Sequence, residues 1–193
     1  MRALLVAGWL MLPIGFAFWH YGPGQDRVRL DEAAAMLRTA QQHANAEEWA
    51  EAVAAYEKVL ELLPESEAQQ RRQVVLAKAK AQMLCSQLPT AHDDLKALVE
   101  DLQGDPSADK ALLADARSTL AQAQFYMTWL MRLEGQPEEV WGPEIEGARQ
   151  NYRLLAEASS GAGKEKHTKD LEAAVRLARM DLGELQGLPL PSQ

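Results

Sequence analysis

Cysteine is nearly missing from this 193-residue chain. Cys85 stands alone, so no disulfide can close within one copy, and it reads as a small apolar residue inside a helix rather than a reactive thiol. Positive charge is also in short supply: 20 Lys and Arg against 28 Asp and Glu leave a formal charge of −8. No stretch gathers basic and aromatic residues into a stripe that could follow a phosphate backbone, which argues against nucleic acid as a partner. Beyond Arg27 there is no alternating apolar and polar run bounded by turn residues, and no β-branched cluster longer than Val74-Val75, so strands are not expected. Histidine is sparse and scattered. His20, His43, His92 and His167 fall in four separate segments without a second ligand at metal spacing on one face, and in "HDD" (92–94) the carboxylates suit the first turn of a helix better than a metal.

What the chain does have is apolar residues, 47% of the total, distributed in two distinct ways. The first is a continuous run. "ALLVAGWLMLPIGFAFWHY" (3–21) carries no formal charge and, as a helix rising 1.5 Å per residue, would span about 29 Å, close to a bilayer's hydrocarbon thickness. Trp19 and Tyr21 at its end have the amphipathic rings expected at a membrane interface. A cleaved secretory signal is the competing reading, supported by Arg2, but the segment ends in large aromatics rather than an A-x-A-like pair. The expectation is therefore a transmembrane signal anchor over 1–22, a hinge over 23–27 and a domain over 28–188, with 189–193 as a tail. The short N-terminal flank favours placing that domain outside the cytoplasm, in the periplasm if the membrane is a bacterial inner membrane.

The second distribution is periodic. Helical apolar spacing recurs from segment to segment, predicting an all-α domain of seven helices. Leu30, Ala33, Leu37, Ala40 and Ala44 line one face; Trp49, Ala52, Val53, Tyr56, Val59, Leu60 and Leu63 line the next, which Pro64 ends. A third helix carries Val75, Ala79 and Met83, and a fourth, after Leu88-Pro89, carries Ala91, Leu95, Leu98 and Leu102. Ser107 is a candidate N-cap for a long helix to Leu133, a sixth runs from about Glu138 to Ser159, "SSGAGK" reads as a linker, and a last helix runs from about Glu165 to Leu185.

Small residues at Ala40 and Ala52, aromatics at Trp49 and Tyr56 and a closing Pro64 together resemble a tetratricopeptide repeat, in which two helices approach closely through a small residue on each. The same register places Ala79, Leu88, Ala91 and Leu95 in a second unit, and Ala148 and Tyr152 in a third. The resemblance implies three hairpins and a capping helix stacked as a right-handed α-solenoid, with the first helix of each pair lining a groove for a protein or peptide. By that register the groove positions are Gln41, Asn45, Gln73, Lys80 and Gln122, with Met83 and Phe125 as apolar contacts. Members that clamp a terminal carboxylate use a lysine and an asparagine on the first helix, where this chain has Leu37 and Gln41.

Enzymatic chemistry finds little foothold. "GAGK" (161–164) lacks the rest of a phosphate loop, and Ser118, Ser159 and Ser160 have no nucleophile context. No cofactor is expected. The expected role is a membrane-anchored adaptor or scaffold, with a structural subunit or homo-oligomer whose groove is filled as the alternative. "FYMTWLM" (125–131) is expected to bury Tyr126, Leu130 and Leu133 and to leave Trp129 or Trp141 for a partner outside the groove.

Overall fold

The computed structural model describes residues 23–186. Eight helices make up these residues: α1 (Pro23–Asn45), α2 (Trp49–Leu62), α3 (Ala68–Leu84), α4 (Leu88–Gly104), α5 (Lys110–Leu133), α6 (Glu138–Ala158), α7 (Gly161–Arg179) and α8 (Leu182–Gln186). No strand occurs among them. The expected bilayer-spanning segment, with Trp19 and Tyr21, lies outside the described residues. Within those described, no helix is long and apolar enough to cross a membrane.

The chain divides into two compact units between Arg71 and Arg72. In the first, α1 and α2 form a hairpin. Ala33, Ala40 and Ala52 are fully buried, and the absence of bulk at these points lets the backbones approach. Tyr56, Val59 and Leu63 supply the apolar area, while Trp49 and Pro64 are half-buried at either end of α2. Arg71 finishes the hairpin by donating to the Leu60 and Leu63 carbonyls, each at 2.7 Å, which α2 leaves unpaired at its C-terminus.

The second unit holds two further hairpins. Ala79 of α3, Ala91 and Leu95 of α4, and Ala116, Leu120 and Ala123 of α5 belong to one core. Ala121 of α5, Ile145, Ala148 and Tyr152 of α6, Ala174 and Leu177 of α7 and Leu185 of α8 form another. Burial raises the Tyr152 phenol pKa well above its usual value. Arg72 at the start of this unit bridges α3 to the end of α4, through Asp101 (2.6 Å) and Asp105 (2.8 Å). Gly147 of α6 sits beneath Gln124 of α5: a Cβ there would come within 2.4 Å of the Gln124 amide nitrogen, so the pair of helices closes against a residue without a side chain.

All three hairpins turn the same way. Glu47, Ser86 and Gly135 have φ of 60°, 63° and 73°, and the residue after each donates back five positions, from Glu48 to His43, Gln87 to Gln82 and Gln136 to Met131. These are left-handed helix stops of the Schellman kind. Between the first two hairpins the turn, the buried alanines and the ring or leucine position share one offset: 47 to 86, 40 to 79, 52 to 91, 56 to 95. The third hairpin departs from it because α6 begins with additional turns through Trp141 and Pro143 before its buried face starts at Ile145.

Four expectations need correcting. The backbone over 23–27, expected as a hinge, is already helical, since proline is tolerated in a first turn. The N-cap of α5 is Asp109, whose carboxylate accepts from the Ala111 amide at 2.8 Å, and not Ser107, which donates to Asp105 instead. "GAGK" is helix rather than linker, because α7 starts at Gly161, whose φ of 56° makes the entry. Finally, the last helix is not continuous to Leu185. It stops at Arg179, and the chain turns at Met180-Asp181 into α8.

That turn has a visible cause. Arg132, near the end of α5, stacks over the Trp141 ring at 4.7 Å and donates to the carbonyls of Leu177 and Met180, taking acceptors that a continuing helix would need. Asp181 and Glu184 then form a reciprocal cap, with the Glu184 amide donating to Asp181 (2.8 Å) and the Asp181 amide donating to Glu184 (3.0 Å). α8 is thereby laid against α5, with Leu185 buried.

Candidate functional site

α5 carries apolar side chains in three directions. Two are buried against its neighbours in the cores above. A third row of mixed character, Thr119, Gln122, Tyr126 and Leu130 at helical spacing, borders a cleft of about 910 Å³. Its opposite wall is the last turn of α3 (Lys80, Met83, Leu84) and its end is the turn into α4 (Ser86, Leu88, Pro89), with Trp129 completing the α5 side. Leu130 is 41% exposed, contrary to the core position expected for it. Its place follows from helical phase: Leu130 continues the i, i+4 row of Gln122 and Tyr126, which borders the cleft.

Three polar groups bordering the cleft have definable states. Lys80 is paired with both oxygens of Asp115, at 2.9 and 2.8 Å, so its charge is neutralised across the α3–α5 wall. The Thr119 hydroxyl donates to the Asp115 carbonyl at 2.8 Å. The exposed Gln122 amide offers a donor and an acceptor to a backbone laid beside it. The remaining wall is aliphatic and aromatic, so the cleft suits apolar side chains of an extended segment with little net charge. Cys85 adjoins this wall, half-buried, its thiol donating to the Gln82 carbonyl and its pKa raised by burial, which makes it a poor nucleophile.

Of the groove residues expected from sequence, Lys80 and Gln122 meet in this cleft together with Met83. Gln73, on α3, is exposed but does not line it; Gln41 and Asn45 are exposed on α1, in the first unit. Phe125 points toward the core shared by α5 and α6, edge-on to Tyr126 with ring centroids 5.9 Å apart. Trp129, expected outside the groove, lines the cleft, while Trp141 is covered by Arg132. Leu84, Leu88, Pro89 and Leu130 were not foreseen as lining residues, although Met83-Leu84 and Leu88-Pro89, three residues apart, form an apolar concentration legible in the chain.

Away from the cleft, His92 is the one fully buried histidine among the described residues. Its Nε2 lies 2.9 Å from Glu144 Oε2, off the axis of a good hydrogen bond, and its Nδ1 lies 3.2 Å from Asp93, so it bridges α4 and α6. No group of three His, Cys, Asp or Glu able to hold a metal occurs among the described residues. Compared with protein-family models, with curated proteins and with solved structures, the chain matches none.

Proposed function

We propose that this protein is a binding module of tetratricopeptide type, not a catalyst, which docks a partner protein or peptide in the cleft between α3, α4 and α5. The observation that carries this reading is the uncovered apolar face of α5, with Tyr126, Trp129 and the 41%-exposed Leu130 set opposite Met83 and Leu84. The twelve-residue spacing of fully buried alanines within each of the first two hairpins, 40 to 52 and 79 to 91, supports the family resemblance, while the 39-residue offset between them exceeds the family's usual period of about 34. Further units in such a family stack as a solenoid, and the same architecture is proposed here.

The charge-free segment 3–21 supports tethering to a bilayer, with the domain on the extracytoplasmic side of a bacterial inner membrane. Tethering confines a weak binder and its partner to one surface, which raises their effective concentration. The protein then acts as an adaptor within a membrane-associated complex. Co-purification of native and Leu130→Asp protein from solubilised membranes tests this: the partner is recovered with the first and lost with the second, while both retain the same helical circular dichroism. Equal recovery with both would refute the cleft.

A structural role, with the groove wholly or partly closed by the protein itself or by a second copy, is supported by one observation: α8 folds back onto α5. Light scattering of the detergent-solubilised protein separates the homo-oligomeric form of this reading from a monomer.

A further inference from the structure

α8 has 5 residues, far fewer than the roughly 12 to 15 below which an isolated helix is marginal in water, so it persists only through what it touches. What holds it is Leu185, 1% exposed in the core it shares with α5, α6 and α7, together with the reciprocal Asp181–Glu184 cap. Arg132 adds a tie from the end of α5 to the Leu177 and Met180 carbonyls, at the turn that leads into α8. Loss of these holds leaves coil, which gives the segment two arrangements, docked helix and released chain. Trp129 links it to the cleft. The half-buried indole packs on the core that contains Leu185, and it also stands in the cleft wall with Tyr126 and Leu130.

We infer that α8 is a latch on the cleft: its docking sets the Trp129 ring in the wall, and its release withdraws that ring and weakens the hold on an apolar group seated there. The physical reason is packing density. When Leu185 leaves the core, space opens in the cluster on which the indole rests, and a ring no longer backed on that side turns into it and out of the wall. An occupant of the cleft acts in return. Its contact with Trp129 in the wall position favours the docked state, and coupling between two sites is reciprocal, commonly changing affinity by about 5- to 150-fold. This inference rests on the reading of the cleft as a docking surface and adds how that surface is regulated.

The test uses the full-length protein with Cys85→Ala, which removes the native thiol, and Gln122→Cys, which places one on the exposed rim of the cleft. A naphthylmethyl disulfide is exchanged onto that thiol against excess reductant, so the fraction labelled reports how well an apolar ring seats in the cleft, with a methyl disulfide as control. Leu185→Ala is expected to lower naphthyl labelling at least about fivefold relative to methyl labelling. Arg132→Met, which keeps both Trp129 and Leu185, should act likewise and serves where Leu185→Ala unsettles the core. Conversely, naphthyl labelling should slow amide exchange over residues 181–186 by a factor of similar size. Loss of labelling without this reciprocal slowing would mean local damage to α5 and overturn the latch. Leu130→Asp reads the cleft itself: if it lowers naphthyl labelling while Leu185→Ala and Arg132→Met do not, the docking surface stands and the latch falls. If Leu130→Asp changes nothing, the cleft seats no apolar ring and both readings fall.

Discussion

Arg132→Met should undo the end of the domain without disturbing its first unit. The guanidinium makes two charge-assisted hydrogen bonds to the carbonyls of Leu177 and Met180 and covers the Trp141 ring at 4.7 Å. Charge-assisted bonds contribute about 1.5 to 3 kcal/mol each, and a partly exposed cation–π contact about 0.5 to 1. Arg132 is half-buried and the freed carbonyls sit at a helix end that water can reach, so the low end applies to each bond, giving a loss of about 3 to 4 kcal/mol. Methionine keeps much of the aliphatic packing, which isolates the polar head. Because the contacts gather at the ends of α5 and α7 and at the turn into α8, the loss should appear first as local opening. Hydrogen exchange followed by mass spectrometry should show protection of residues 177–186 falling by roughly two to three orders of magnitude, with α1 and α2 unchanged. Arg132→Lys, which retains charge but not the planar fork, should lie between. Unchanged protection of 177–186 in Arg132→Met would refute the clamp and the cause given for the break at Met180.

Three further outcomes are expected. Tyr56→Ala, deleting a 5%-exposed ring from the first hairpin, should cost about 3 to 5 kcal/mol in denaturant unfolding, and a loss under about 1 would mean the ring is not interior. Gly147→Ala should displace the Gln124 side chain and break its 3.2 Å bond with Asn151, a loss of about 1 kcal/mol that the gain of about 0.5 to 1 kcal/mol from replacing a mid-helix glycine largely offsets; a net stabilisation above about 1 kcal/mol would show that the Gln124 bond contributes nothing. Asp105 accepts hydrogen bonds from the Ser107 hydroxyl, then Arg72 and the Ser107 amide, which hold its pKa at about 2 against an ordinary 3.8. Its contribution is thus present above about pH 4 and lost as pH falls through about 2, so Asp105→Asn should flatten that part of the acid-unfolding curve, and an unaltered curve would refute the coupling.

Much of the helical framework was legible because it depends on side-chain size at a helical period: Ala40, Ala52, Ala79, Ala91 and Ala148 are all fully buried, and Leu95 with them. The turns were less so. Glu47 and Ser86 adopt positive φ without being glycine, a conformation that their helix stops impose and their residue types do not announce. "GAGK" misled in the opposite direction, since glycine's low helix propensity is outweighed once α7 docks its Ala174 and Leu177. The break at Met180 depends on Arg132, 48 positions earlier, which no local pattern reveals. The cleft was half visible. Lys80, Met83 and Gln122 stand at positions named from the repeat register, but Leu130 and Trp129 join them through the helical phase of α5 and its packing against α3, which the repeat register does not specify.

The most direct measurement places a photo-crosslinking residue at Gln122, on the exposed rim of the cleft, in the full-length protein within the cells that make it. A discrete crosslinked partner that disappears when Leu130→Asp is added is the predicted result. Absence of any crosslinked species, or one indifferent to Leu130→Asp, would contradict docking in the cleft.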